Sequence, residues 1–248
     1  MATSLAPNDL DADADRIGRG WDCSGGLGEL AALAGIGVTM TVCPGQTIVI
    51  EGDPIRHYFR IISGTVRLYK AIADGRRQVI DFFGAGQWFG LTGLARHTYS
   101  AEAVSAVTLV RYSRQTIEVA IRSDPGLAQA LFRLACFELD QAQQQMLLLG
   151  RKSADEKIAS FLLALAERAQ AAGARHRHPI ENIVHLPMSR QDMADYLGLT
   201  IETVSRTISR FKRLGLIDLI GRQHVALCRI DRLSALADGL TAPDRCMV

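Results

Sequence analysis

No apolar run in the 248 residues approaches the ~20 that a membrane-spanning helix requires, and the N-terminus lacks the basic-then-apolar order of a secretory signal. The expected location is therefore the cytoplasm. Cysteine is scarce: Cys23, Cys43, Cys136, Cys228 and Cys246 are scattered without a C-x-x-C pair. An odd, unpatterned set argues for reduced thiols over a disulfide framework or a zinc site. There is no G-x-S-x-G, no P-loop and no H-E-x-x-H, which removes the usual signatures of nucleophilic, nucleotide-hydrolysing and zinc-hydrolase chemistry. No catalytic site, metal or cofactor is expected. A dominant charge is missing too. Lys plus Arg number 28 against 26 for Asp plus Glu, a net charge of +2, so affinity for a polyanion must come from a local concentration of charge.

One such concentration lies near the C-terminus. Arg206, Arg210, Lys212, Arg213, Arg222 and Arg229 fall between Thr203 and Arg229 against the single acid Asp218, an electrostatic footprint for phosphate. The same region, MSRQDMADYLGLTIETVSRTISRFKRLGLI, reads as two short helices joined at Gly198. Met193, Ala194 and Leu197 sit at helical spacing before the turn; Val204, Ile208, Phe211 and Leu214 repeat every three or four residues after it. Thr200 is the expected N-cap, which brings Glu202, Ser205 and Arg206 to the beginning of the second helix, where a recognition helix meets base edges. The chemistry suits base reading: a guanidinium fork matches guanine O6 and N7, a carboxylate accepts from cytosine N4, and a hydroxyl serves either role. An ordinary amphipathic hairpin with solvated charges would show the same periodicity but not the basic excess. LIDLIGRQHVAL, two apolar runs around Gly221, predicts a flanking β-hairpin and hence a winged helix-turn-helix.

Upstream, VTMTVC, QTIVIE, HYFRII, TVRLYKAI, RRQVIDFF and YSAEAVSAVTLVRYS are short runs separated by glycines, the pattern of an antiparallel barrel or jelly roll. Asp124-Pro125 predicts an N-cap and N1 proline for a long helix reaching about Leu149. In it Ala128, Phe132, Ala135, Leu139, Ala142, Met146 and Leu149 alternate steps of four and three, a coiled-coil seam. Leu127, Leu131 and Leu134 offer a second stripe for the chain's own β-roll. Gly150 is expected to end that helix, and Ser153 with Glu156 to form a capping box for the next. Asp9, Asp11, Asp13 and Asp15 lie in a poorly patterned acidic start, read as flexible. His176 and His178 belong to a polar connection, read as a solvated loop.

The expected class is α+β: a flexible tail over 1–20, a sensor-like β-roll over 21–123, a dimerisation helix over 124–150, a winged helix-turn-helix over 151–238 and a tail over 239–248. Glu202, Ser205 and Arg206 are the candidate base readers. Ser189, Arg190, Thr200, Thr203, Ser209, Arg210, Lys212 and Arg213 are candidates for phosphate contact or support. Phe132, Leu139, Met146 and Leu149 are the candidate seam.

This order of elements resembles the Crp/Fnr superfamily of bacterial transcription regulators over roughly Val38 to Ala237. E-x-x-S-R, here Glu202, Ser205 and Arg206, is similar to the signature of the Fnr and FixK branches; the Crp branch has glycine where Ser205 stands. LGRKSADEKIASFLL and LPMSRQDMADYLGLTIETVSR also look FixK-like. The resemblance implies a jelly roll of the cyclic-nucleotide-binding type, a homodimer on double-stranded DNA at a palindrome near TTGAT-N4-ATCAA, and activation of transcription through RNA polymerase. It also exposes departures. Where cyclic-nucleotide members carry F-G-E-x-[AG]-L and then R-[ST]-A, this chain has Phe89, Gly90, Leu91, Thr92, Gly93, Leu94 and then Tyr99, Ser100, Ala101. Leu91 replaces the ribose-binding carboxylate and Tyr99 the phosphate-binding arginine. Cys23 and Cys43 are too few for the iron-sulfur cluster of oxygen-sensing Fnr proteins, which needs four thiolates. The rival expectation is a sensor whose β-roll holds haem or a small metabolite through His57, His97 or a free cysteine.

Overall fold

The computed structural model describes Leu33, residues 35–171 and residues 182–240; the acidic start, Cys23, Cys246, His176, His178 and the last eight positions of the tail lie outside them. Eight strands form the N-terminal roll: β1 Val38–Val42, β2 Thr47–Val49, β3 His57–Ser63, β4 Val66–Ala71, β5 Arg77–Phe83, β6 Trp88–Phe89, β7 Ser100–Ala103 and β8 Val107–Ser113. They make two antiparallel sheets, ordered β1-β8-β3-β6 and β2-β7-β4-β5. The run from Tyr99 to Ser113 is thus two strands, each in a different sheet, and Trp88–Phe89 is a strand too short to stand out in the sequence. Inward residues alternate with outward ones along each strand: Ile61, Val66, Val107 and Leu109 are fully buried between the sheets.

One irregularity in the roll shapes everything that follows. In the β4–β5 pair Leu68 faces Asp81 while Tyr69 faces Val79, so Ile80 is an extra residue in β5. Such a bulge resets the alternation. Directly opposed residues share a face of the sheet, so Arg67, Tyr69, Arg77, Val79 and Phe82 all come to the outer side. Without the bulge Val79 and Phe82 would point in opposite directions.

The chain leaves the roll through α1, Arg114–Ser123, and α2, Pro125–Arg151. Asp124 caps α2, its carboxylate accepting from the amides of Gly126 at 2.9 Å and Leu127 at 3.2 Å. At 27 residues α2 is about 40 Å long. Leu127, Leu131 and Leu134 pack it onto the roll beside Tyr58, Trp88, Tyr112 and Ile117. Gly150 does not end the helix, contrary to expectation; α2 continues to Arg151 and stops at extended Lys152, because a lone glycine costs a helix only about 1 kcal/mol.

The C-terminal part comprises α3 Ala154–Ala171, β9 Ile183–His185, α4 Arg190–Leu197, α5 Ile201–Arg213, β10 Ile217–Ile220, β11 His224–Leu227 and α6 Ile230–Ala237. The capping box forms as the sequence predicts: the Ser153 amide donates to Glu156 at 3.1 Å and the Glu156 amide to the Ser153 hydroxyl at 3.4 Å. The wing hairpin β10–β11 gains a third strand, β9. Helices α3, α4, α5 and α6 share a core that includes Ile158, Leu162, Met193, Leu197, Val204, Phe211 and Leu233.

That core does not stop at the domain boundary. Val79 and Phe82, on the outer face created by the bulge, belong to it; the Phe82 ring lies 5.5 Å from Tyr196 of α4 and 6.4 Å from Phe161 of α3. Around this apolar contact sits a ring of charge. Arg67 donates to Glu102 and to Asp192, each at 2.6 Å, and Arg77 reaches Asp192 and, at 2.6 Å, Asp195. Arg168 of α3 donates back to Asp81 at 3.1 Å. The other oxygen of Asp192 accepts from the Ser189 amide at 3.0 Å and hydroxyl at 2.8 Å, so one carboxylate both caps α4 and ties it to the roll. Among the described residues no helix is long and apolar enough to cross a membrane.

Candidate nucleic-acid interface

The helix pair is built by local rules. Ser189 caps α4, and Gly198 closes it at φ 61° and ψ 44°, a left-handed conformation that favours glycine. Thr200 caps α5 by accepting from the Thr203 amide at 3.2 Å. Val204, Thr207, Ile208 and Phe211 then bury one side of α5, which leaves Glu202, Ser205, Arg206 and Ser209 exposed on the other. Glu202, at the first turn, has its carboxyl held below the usual carboxylate range by its own backbone amide, then by the Thr200 hydroxyl, with Arg206 a smaller contributor. It is thus an acceptor-only group at neutral pH, and Arg206 one turn away is a donor-only group.

The expected residues do not all end in one place. Thr203, Ser205, Arg206, Ser209, Arg210 and Arg213 line a single open groove of about 820 Å³ whose other wall is the start of α3, Ser153 to Asp155. Lys212 is outside it, paired with Asp218 of β10 at 3.4 Å. Ser189 and Thr200 spend their hydroxyls on caps. Arg190 is half-buried, one Nη 3.4 Å from the Met193 sulfur, and burial lowers its pKa. Arg210 is paired with Asp155, which also accepts from Thr207 at 3.4 Å. Arg210 therefore supports the floor of the groove, where Arg206 and Arg213 stand exposed at its rim. Asp155 is a groove residue that the sequence pattern did not single out; its place in the first turn of a capped helix was visible, its partner on another helix was not.

On α2, Phe132, Leu139, Met146 and Leu147 are 70%, 60%, 64% and 58% exposed, an apolar stripe largely uncovered by the described residues. Leu149 departs from the expected seam. It is half-buried against the C-terminal core and lies 3.3 Å from where a Cβ on Gly198 would be, because by the last turn of α2 the neighbouring α4 has taken the space beside it.

In the roll, the degenerate cassette is filled from within. Phe89 stacks on Phe59 at 4.9 Å. Gly90 has φ 85°, and its amide donates to the Tyr99 hydroxyl at 2.9 Å, so the amide has a neutral acceptor from its own chain. Burial pushes the Tyr99 phenol above its ordinary pKa and keeps it protonated. A Cβ at Gly90 would come within 3.3 Å of the His57 carbonyl and 3.8 Å of His97. Burial lowers the pKa of both His57 and His97, with Arg111 and then Arg56 adding to the effect at His57. Among the described residues Cys43, Cys136 and Cys228 are free thiols, and no three His, Cys, Asp or Glu side chains gather in a way that could hold a metal ion.

Residues 156–236 match the Crp-like helix-turn-helix domain and residues 39–124 the cyclic nucleotide-binding domain. The chain is 41% identical over 211 residues to the nitrogen fixation regulation protein FixK of Bradyrhizobium diazoefficiens, covering 84% of this chain and 86% of the relative. It is 37% identical over 205 residues to the transcriptional activator protein FnrL of Cereibacter sphaeroides, covering 83% and 82%. The solved structure of FixK2 from Bradyrhizobium japonicum superposes with a TM-score of 0.75 at 33% identity, over 84% of this chain and 100% of that one. Roll, long helix and winged helix-turn-helix thus follow one another as the family requires, and the chain belongs to the Crp/Fnr superfamily as a FixK-like, DNA-binding transcription regulator, not an enzyme.

Proposed function

We propose that the chain works in the cytoplasm as a homodimer which binds a palindromic site near TTGAT-N4-ATCAA and activates transcription through contact with RNA polymerase. The observation that carries this reading is the α5 surface: Glu202, Ser205 and Arg206 exposed at the N-terminal end of a helix whose opposite side is buried, beside a groove rimmed by Arg206 and Arg213. Such a face supports base reading by the first three residues and phosphate contact by Arg213, Ser209 and Thr203. Arg210, Ser189 and Thr200 act as supports. Lys212 contributes charge from beside the groove. The names of the relatives, FixK and the transcriptional activator FnrL, favour activation over repression.

The exposed stripe on α2 supports pairing with a second copy. Fully burying a large apolar side chain is worth roughly 1.5–3 kcal/mol, and three or four such residues from each chain offset much of the cost of association. The filled cassette supports DNA binding without a cyclic nucleotide, since the ligand would find leucine for the ribose hydroxyl and tyrosine for the phosphate.

Replacing Arg206 with alanine is expected to lose roughly 1–3 kcal/mol of discrimination at one base pair in each half-site, read from a panel of mutated operators in binding assays. Replacing Lys212 should weaken specific and random DNA alike and reduce the salt slope. Half-sites of a two-fold dimer lie about one helical turn apart, so five extra base pairs between them should abolish tight binding. An unchanged operator ranking for Arg206→Ala, or full binding to the lengthened site, contradicts the assignment of α5.

Leu139→Glu places a charge in the stripe and should convert dimers to monomers in light scattering, with weaker operator binding; a variant that stays dimeric puts the interface elsewhere. Calorimetry with cyclic AMP and cyclic GMP should show no saturable heat and no change in operator affinity. Saturable micromolar binding of either would overturn the account of the roll.

A further inference from the structure

The groove beside α5 holds one charge of the wrong sign for attracting phosphate. Of the described residues that line it, Asp155 is the single acid, set among Arg206, Arg210 and Arg213. A surface that has to draw in a polyanion loses affinity with each carboxylate it carries. Asp155 stands in the first turn of α3. Its Oδ1 receives both an Nη of Arg210 and, at 3.4 Å, the Thr207 hydroxyl. The Thr207 contact needs only an oxygen, which an uncharged side chain would also supply, and Val204 and Ile208 of α5 already share a core with Ile158 and Leu162 of α3. The full negative charge therefore matters to Arg210 alone. The Arg210 side chain is 36% exposed against 15% for Asp155, so the guanidinium opens on the groove while the carboxylate meets its charge from behind.

From this arrangement we propose that Asp155 stands in for a phosphate on Arg210, holding that guanidinium off the DNA backbone and so limiting the part of the affinity that ignores sequence. A carboxylate and a phosphate present the same kind of partner to a guanidinium fork. Binding to random DNA comes essentially from the neutralisation of phosphates, so each arginine already paired within the protein lowers it. Base reading by Glu202, Ser205 and Arg206 is untouched, because none of the three is bonded to Asp155. Asp155 is thus a positioning residue that acts through Arg210, and it has this role only if α5 is the DNA-facing helix. An ion pair with one partner this open to water is weak, so its loss leaves the fold intact and changes what Arg210 can reach.

Titration of the full-length chain with a random-sequence duplex, at several salt concentrations, tests this directly. Asp155→Asn keeps an oxygen for Thr207 and removes the charge. It should bind the random duplex more tightly and steepen the fall of log K with log salt by about 0.9 for each engaged copy, or about 3.5-fold per copy between roughly 50 and 200 mM salt. Asp155→Ala should steepen it equally, and in both variants the ranking of mutated operators should stay that of the wild type. In an Arg210→Met background Asp155→Asn should leave the slope unchanged. An unaltered slope in Asp155→Asn, or weaker binding to random duplex and operator alike, overturns the proposal and leaves Asp155 a support. A steepening that persists without Arg210 also overturns it, since the acid would then act by general repulsion. Arg213→Ala separates this role from the assignment of α5: it should flatten the wild-type slope by about 0.9 per engaged copy. If it does so while Asp155→Asn has no effect, only the role of Asp155 fails; if it does not, the groove does not face DNA and both fail.

Discussion

The carboxylate of Asp192 is the centre of the contacts that hold the two halves of this protein in register. Its side chain is 4% exposed. One oxygen receives Arg67 and Arg77 from the roll, and the other receives the Ser189 amide and hydroxyl at the start of α4. Opposite charges brought together away from water interact strongly, but removing one partner leaves an uncompensated charge at a cost of about 3–5 kcal/mol. The cluster is nearly balanced: Arg67 and Arg77 face Glu102, Asp192 and Asp195. Such an arrangement specifies one docking geometry more than it adds net stability, because the desolvation of the groups offsets much of their attraction. The aromatic contact of Phe82 with Tyr196 and Phe161 supplies the apolar part of the same junction.

From that junction the geometry of the proposed DNA-facing surface follows. With α4 fixed on the roll, the left-handed turn at Gly198 sets the direction of α5, and the Asp155 contacts to Arg210 and Thr207 fix its distance from α3. The exposed stripe of α2 is continuous with the same scaffold, and Gln145 on this helix donates to the Tyr196 carbonyl at 3.0 Å. A second copy paired along α2 would therefore carry its recognition helix at a separation determined by α2 and the clamp. In the roll, the Gly90 amide and the Tyr99 hydroxyl satisfy one another.

Local patterns were legible in the sequence and remote ones were not. The caps at Asp124, Ser153 and Thr200, the turn at Gly198, the buried face of α5 and the wing hairpin each depend on residues within a few positions of one another, so their chemistry stands side by side in the chain. The strands β6 and β9, two and three residues long, are too short to leave a periodic signal and took their form from packing, whereas the short helices α1 and α6 do carry an amphipathic period. Arg67 and Asp192 are 125 positions apart, and nothing near either residue announces the other. The bulge at Ile80 is equally silent, yet it is what turns Val79 and Phe82 toward the C-terminal core. Leu149 and Gly150 depart from expectation for a related reason: a heptad shows that a face is apolar, not what covers it, and one glycine is a small cost beside the packing of α2 against its neighbours.

Charge on the roll fixes the recognition domain. Arg67→Met tests it most directly, because Arg67 lies on β4 and affects α4 only through the clamp. Hydrogen exchange of the intact chain should then show the amides of α4 and α5 exchanging at least about tenfold faster, the equivalent of some 1.4 kcal/mol, while β1, β3 and β8 keep their protection. Exchange in α4 and α5 at the wild-type rate would mean that the recognition domain is held by its own core alone, and would contradict the account.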